Sequence, residues 1–302
     1  MNTFPVEIHS YICSFACTDD GRTARSLRLV SRYYREVVYP FQYQSIAVSG
    51  EFQLSKLEDC LERTPTHMRR VRNIFISDGA NDNEPEGTFL RSARHITRLL
   101  GLVSASVETL ALHCDNPRTS TSLLAFLFGL HYPRLRELTV VGYYPFPHVP
   151  NAMPRLNYLH LNGNRNPHGL LQMGSLDAVC PELTHLRISG LSRATAFAAE
   201  LVDAVTADDA SQALFNATLP SKVRRVVVQP GPVVHTPKLV SARLSDDCMM
   251  DKLESLDGGG ATKRGLQYSL LKRSVSGDIA VTSKRHWLDR LDGGDGCWEV
   301  ST

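Results

Sequence analysis

Residues 133–164 read PRLRELTVVGYYPFPHVPNAMPRLNYLHLNGN. Two hexamers in this stretch share one spacing, Leu135-Arg-Glu-Leu138-Thr-Val140 and Leu156-Asn-Tyr-Leu159-His-Leu161, and each is entered from a proline, Pro133 and Pro154. The last two apolar positions of each hexamer flank a polar one. That is the period of a strand that buries alternate side chains and turns the others outward. The same spacing of apolar positions recurs at Val71–Ile76, Val107–Leu112, Leu183–Ile188 and Val223–Val228, with Pro181 ahead of the Leu183 copy, although Phe75, Ala111 and Val227 replace the polar middle residue in three of the four. Six strands are therefore predicted, with helices between them over 88–102, 120–130 and 194–208. Strand, helix and parallel strand in succession define an α/β (α+β) chain.

The hexamer resembles the strand half of a leucine-rich repeat, L-x-x-L-x-L. One copy continues as Asn162-Gly163-Asn164, where that family often carries asparagine. The resemblance implies a stacked α/β solenoid. Steps from Ile74 through Leu110, Leu138, Leu159, Leu186 and Val226 are 36, 28, 21, 27 and 40 residues, so an irregular array with insertions is expected over 49–244. The alternative is an ordinary α/β domain whose strands share a leucine pattern. Residues 245–265, polar and glycine-rich, read as a flexible loop. Residues 266–302 read as a C-terminal cap, with GDIAVTSK (277–284) a last strand before a short helix. Trp287 and Trp298, the two tryptophans of the chain, are expected to close the open end of the repeat.

At the other end the sequence begins MNTFPVEIHSYICSFAC. Pro5 suits the first turn of a helix, where its missing N–H costs nothing, and Glu7 suits the positive end of the helix dipole. Ile8, Tyr11, Ile12 and Phe15 then fall on one helical stripe. TDDG (18–21) breaks the helix, a second is predicted over 22–38 with Leu27, Val30, Tyr34 and Val37 on one face, and Pro40 stops it. YQSIAVSG (43–50) reads as a strand. About 45 residues make a marginal core, so part of this apolar surface is expected to meet the rest of the chain or another protein.

From Phe4-Pro5-Val6-Glu7-Ile8, through Ile12 and Phe15, to Ser26-Leu27-Arg28-Leu29-Val30-Ser31-Arg32 and Val37-Val38-Tyr39-Pro40, the segment resembles an F-box of the fungal type. Phe4 stands for the usual leucine, Tyr34 lies near the usual tryptophan, and Asp20-Gly21 replaces the common Asp-Leu pair. The arrangement Trp287-Leu288-Asp289-Arg290 to Gly296-Cys297-Trp298 is similar to the C-terminus of many such proteins. The resemblance implies a three-helix F-box over 1–48 that docks on a Skp-family adaptor, and through it on a cullin scaffold. It carries adaptor binding onto Phe4, Pro5, Ile8, Ile12, Leu27, Leu29 and Val30. The region beyond would hold a target protein for ubiquitin transfer, with Tyr143, Tyr144 and Phe146 as candidate contacts.

Composition excludes other classes. The chain carries 33 basic and 31 acidic residues, a net charge of +2, which gives no electrostatic case for nucleic acid or an anionic membrane. The longest apolar run, Leu123–Leu130, is far short of the ~20 residues a membrane helix needs. Seven scattered cysteines without a C-x-x-C pair, and no leader pattern, lead us to expect reduced thiols in the cytoplasm or nucleus. No P-loop, G-x-S-x-G, G-x-G-x-x-G or H-E-x-x-H motif occurs, so no catalytic residue, cofactor or metal is expected. His9, Cys13 and Cys17 share a helix face but lack a fourth ligand, and packing explains them better. The pairs Asp19-Asp20, Asp208-Asp209 and Asp246-Asp247 read as solvated turn carboxylates. The reading is a non-catalytic substrate-recognition subunit of an SCF-type ubiquitin ligase. Its alternative is a non-ligase interaction scaffold whose F-box-like segment is only an N-terminal cap, and a hidden hydrolase is the weakest option.

Overall fold

The computed structural model describes residues 4–79, 86–172, 176–206, 217–233, 240–257, 265–275, 277 and 279–299. Among these residues the chain is an α/β protein with ten α-helices and eight parallel strands in chain order. It divides into two compact units, Met1–Thr119 with Asp278–Glu299, and Ser120–Gly277 with Val300–Thr302.

The first unit opens on three helices, α1 (Val6–Ala16), α2 (Arg22–Val30) and α3 (Arg32–Val38). The single helix expected over 22–38 is broken at Ser31, where the backbone is extended (φ −161°, ψ 167°). The Ser31 hydroxyl accepts a hydrogen bond from the Tyr34 N–H at 3.2 Å. A serine that satisfies a free N–H in this way starts a new helix, and the apolar period runs across the break without marking it. Next come β1 (Ser45–Ser49), α4 (Gly50–Arg63), β2 (Asn73–Ser77), α5 (Glu86–Val103) and β3 (Thr109–His113), and then α6 (Pro117–Gly129), of which all but the first three residues belong to the second unit. Ile46, Ile74 and Leu110 lie side by side across the parallel strands, as do Ala47, Phe75 and Ala111 on the opposite face.

The second unit contains β4 (Glu137–Val141), β5 (Tyr158–Asn162), α7 (Leu176–Val179), β6 (His185–Leu191), α8 (Thr195–Thr206), β7 (Arg225–Pro230), α9 (Val240–Asp257) and β8 (Gln267–Leu270). Leu138, Leu159, Leu186 and Val226 form one buried row, and Val140, Leu161, Ile188 and Val228 the next. The other face carries Val141 and Val227 together with polar side chains bonded within and across strands. Arg187 donates from Nε to Ser189 Oγ (3.2 Å) and from Nη2 to Gln229 Oε1 (2.7 Å), and His160 Nε2 lies 3.0 Å from Ser189 Oγ.

The six hexamers are strands β2 to β7. The solenoid built from them is corrected to a parallel α/β sheet. A solenoid stacks one recurring unit, whereas here only the strand recurs. Its connections carry helices of 14, 18, 13, 4, 12 and 18 residues, and none among the described residues between β4 and β5.

Three expectations for the C-terminal third are also corrected. Residues 245–257 of the expected loop belong to α9, buried through Met249, Leu253 and Leu256, and 258–264 lie outside the described residues. The last strand is β8 rather than 277–284. From Ile279 the chain is instead helical, α10 (Ile279–Leu291), followed by a short 3-10 turn at Gly296–Trp298. Trp287 does not cap a repeat. Trp287 packs with Phe75 and Ala111 of the first unit, and Leu288 and Leu291 lie against the same cluster. Ile279 and Val281, the β-formers that suggested a strand, are exposed, and burial of Trp287 on a helical spacing with Leu291 decides the segment.

Candidate protein-interaction site

The N-terminal helices are held by local polar chemistry. Asp19 caps α2: its carboxylate accepts from the Gly21 N–H at 2.9 Å, the Thr23 N–H at 2.9 Å and the Thr23 hydroxyl at 2.8 Å. Gly21 turns the chain with φ +88°, a conformation glycine adopts without strain. Here the departure from the Asp-Leu pair serves the turn itself. Asp20 is buried beside Lys284 Nζ (3.0 Å) and Arg22 Nε (3.3 Å). Burial pushes its carboxyl pKa up, but the Lys284 hydrogen bond and the two cations outweigh it, and the group ends below its ordinary value. The expected solvated turn pair is thus a helix cap and a buried ion pair. Of the other two pairs, Asp208-Asp209 lies outside the described residues. Asp246 and Asp247 are in α9, where Asp246 meets Arg273 Nη2 at 2.6 Å.

Inside the three helices the core is Cys13, Cys17, Ala24, Val37 and Val38, with Leu27, Tyr33, Tyr34 and Phe41 packed against it. His9 completes the inward face of α1, with Nδ1 2.9 Å from the Tyr33 hydroxyl and its ring edge-on to Tyr33 and Tyr34. Burial pushes both thiols up, Cys17 to about 11 with the neighbouring Cys13 and Asp19 adding to it. Protonated thiols are poor metal ligands and nucleophiles. Among the described residues no group of three or more His, Cys, Asp or Glu could hold a metal ion.

Because α1 packs through His9, Cys13 and Cys17, its apolar stripe faces solvent. Ile8 is 45% exposed, Ile12 56%, Tyr11 65% and Phe15 63%. Phe4, Pro5, Leu29 and Val30 are exposed as well. Six of the seven residues carried over for adaptor binding are therefore at the surface, and the seventh, Leu27, is half-buried in the helix core. Tyr11 and Phe15, edge-to-face at 4.8 Å, extend the exposed stripe. Their i, i+4 spacing was visible in the sequence, but the site residues taken from the motif did not include them.

The other candidate cluster divides. Tyr143 is exposed, Phe146 is half-buried, and Tyr144 is fully buried, with burial pushing its hydroxyl pKa far up. Tyr144 is corrected to a core residue, out of reach of a docked chain, because the backbone after β4 turns it inward. Among the described residues no helix is long and apolar enough to cross a membrane. No family model, no curated protein and no solved structure matches the chain.

Proposed function

We propose that this chain is a substrate-recruiting subunit of an SCF-type ubiquitin ligase, with its three N-terminal helices acting as an F-box on a Skp-family adaptor. The observation that carries this reading is the outward stripe of α1. A helix that buries small thiols and leaves Ile8, Ile12 and their neighbours in water has apolar surface suited to a protein partner. The motif residues Phe4, Pro5, Leu29 and Val30 are exposed with it. The remainder of the chain would hold the target, with Tyr143 as an accessible contact. The mechanism is proximity: no bond is made by this chain, and target is concentrated near the conjugating enzyme held by the cullin scaffold. Such a subunit would work in the reducing cytoplasm or nucleus, the setting expected from the scattered cysteines of the sequence.

A second reading has its own support. Gln44 Nε2 donates to the Ser14 carbonyl at 2.7 Å and Ser45 Oγ to the Thr18 carbonyl at 3.2 Å. These bonds tie the helices to β1 as a cap on the first unit would be tied, as in a scaffold with no ligase connection. Binding of the purified chain to a Skp-family adaptor separates the two. The ligase reading expects a complex that Ile12→Asp weakens by about thirtyfold, the scale of a ~2 kcal/mol hot-spot loss. Absence of binding by the wild-type chain, or equal binding by the variant, leaves the scaffold reading.

A further inference from the structure

The C-terminal helix reaches back to the turn that sets the N-terminal helices. Lys284 on α10 places Nζ 3.0 Å from Asp20 Oδ2, across 264 residues of sequence. Three residues further along α10, Trp287 packs against the ring of Phe75 with centroids 6.0 Å apart, and against Ala111. Lys284 is thus presented by a helix anchored on β2 and β3. Asp20 is held on its other side too, since its carbonyl accepts from the Ala47 N–H at 3.5 Å. Its second cation, Arg22, has a side chain 78% exposed against 36% for Lys284. Solvent screens and loosens the arginine contact more, which leaves Lys284 as the fixed partner.

Asp20 precedes the first residue of α2 by two positions, so its placement sets the direction in which α2 leaves α1. The far end of α2 carries Leu29 and Val30. We propose that Lys284 is a positioning residue: α10 is a strap that fixes the α1–α2 turn and so holds the exposed Leu29 and Val30 at the far end of α2 in place. The strap rests on the docking reading above for its purpose, but not for its existence.

The test uses the full-length chain with Lys284→Met, which keeps the apolar stem and removes the charge, and Lys284→Arg, which keeps the charge. Amide hydrogen exchange over residues 18–30 reads the strap, and affinity for a Skp-family adaptor reads its consequence. Lys284→Met is expected to speed exchange over 18–30 and to weaken adaptor binding on the order of fivefold to tenfold, while Lys284→Arg stays close to wild type in both. Unchanged exchange over 18–30 in Lys284→Met overturns the inference, as does a Lys284→Arg chain as impaired as Lys284→Met. A wild-type chain that does not bind the adaptor removes the docking reading alone, and the exchange comparison still decides whether Lys284 holds the turn.

Discussion

Glu58 lies on α4 with its side chain almost fully buried, yet its carboxylate is bonded to His95 Nδ1 and to Arg98 Nη1 at 2.6 Å, both on α5. Burial raises its pKa and the two donors more than reverse this, leaving it below the ordinary 4.5. A carboxylate depressed in the folded state stabilises the fold above its unfolded pKa and loses that contribution as pH falls through the folded value. Glu58→Gln is expected to cost about 1–3 kcal/mol at neutral pH and to flatten the loss of stability below about pH 4.5. Denaturant unfolding followed at neutral pH and near pH 3 reads both effects. Gly163 shows a backbone constraint of the same local kind. It holds φ +111°, and a Cβ there would lie 2.6 Å from the Gly142 carbonyl oxygen. Gly163→Ala should therefore destabilise by about 1–3 kcal/mol. Gly101→Ala, in α5 with open space around it, should stabilise by about 0.5–1 kcal/mol. The Asn-Gly-Asn of 162–164 was conspicuous in the sequence, but the close approach of the Gly142 backbone that demands glycine was not, because it comes from another strand.

At the scale of elements, hydrophobic spacing located α1, α5, α6 and α8 within a few residues, together with the strands of all six hexamers. It did not say which way a face points. The stripe Ile8, Tyr11, Ile12 and Phe15 is the more apolar side of α1, and the side that packs is His9, Cys13 and Cys17, since small thiols allow the helix close to α2 and α3. An opposite response of neighbouring residues follows. Ile12→Asp should change thermal stability by less than about 0.5 kcal/mol, whereas Cys13→Asp buries an unpaired charge and should cost about 3 kcal/mol or more. Equal melting shifts in the two variants would contradict the orientation of α1. The break at Ser31 belongs here too: Ser31→Ala should cost about 1 kcal/mol through loss of the α3 cap, read by denaturant unfolding. A serine within an apolar helical pattern gives no sign by itself that its hydroxyl will accept a backbone hydrogen bond.

At the scale of the whole molecule, the chain leaves the first unit near Thr119 and comes back to it near residue 278. Trp287 anchors that return on Phe75 and Ala111, and its removal should weaken a region far from it in sequence. Trp287→Ala is expected to cost about 3–5 kcal/mol, with faster hydrogen exchange in β2 and β3. Exchange confined to α10 would show that the strands do not depend on it. The sequence by itself determined the positions of β1 to β7, their parallel α/β order and the amphipathic character of the N-terminal helices, because each follows from side-chain periodicity over a few neighbouring residues. It misplaced the last strand at 277–284. Only the tertiary structure decided that the strand pattern makes no solenoid, that 279–291 is a helix packed on Phe75 and Ala111, and that α1 turns its larger apolar side chains to solvent. Those outcomes depend on contacts between residues as far apart as Asp20 and Lys284, and a local period cannot tell which distant surface will bury it.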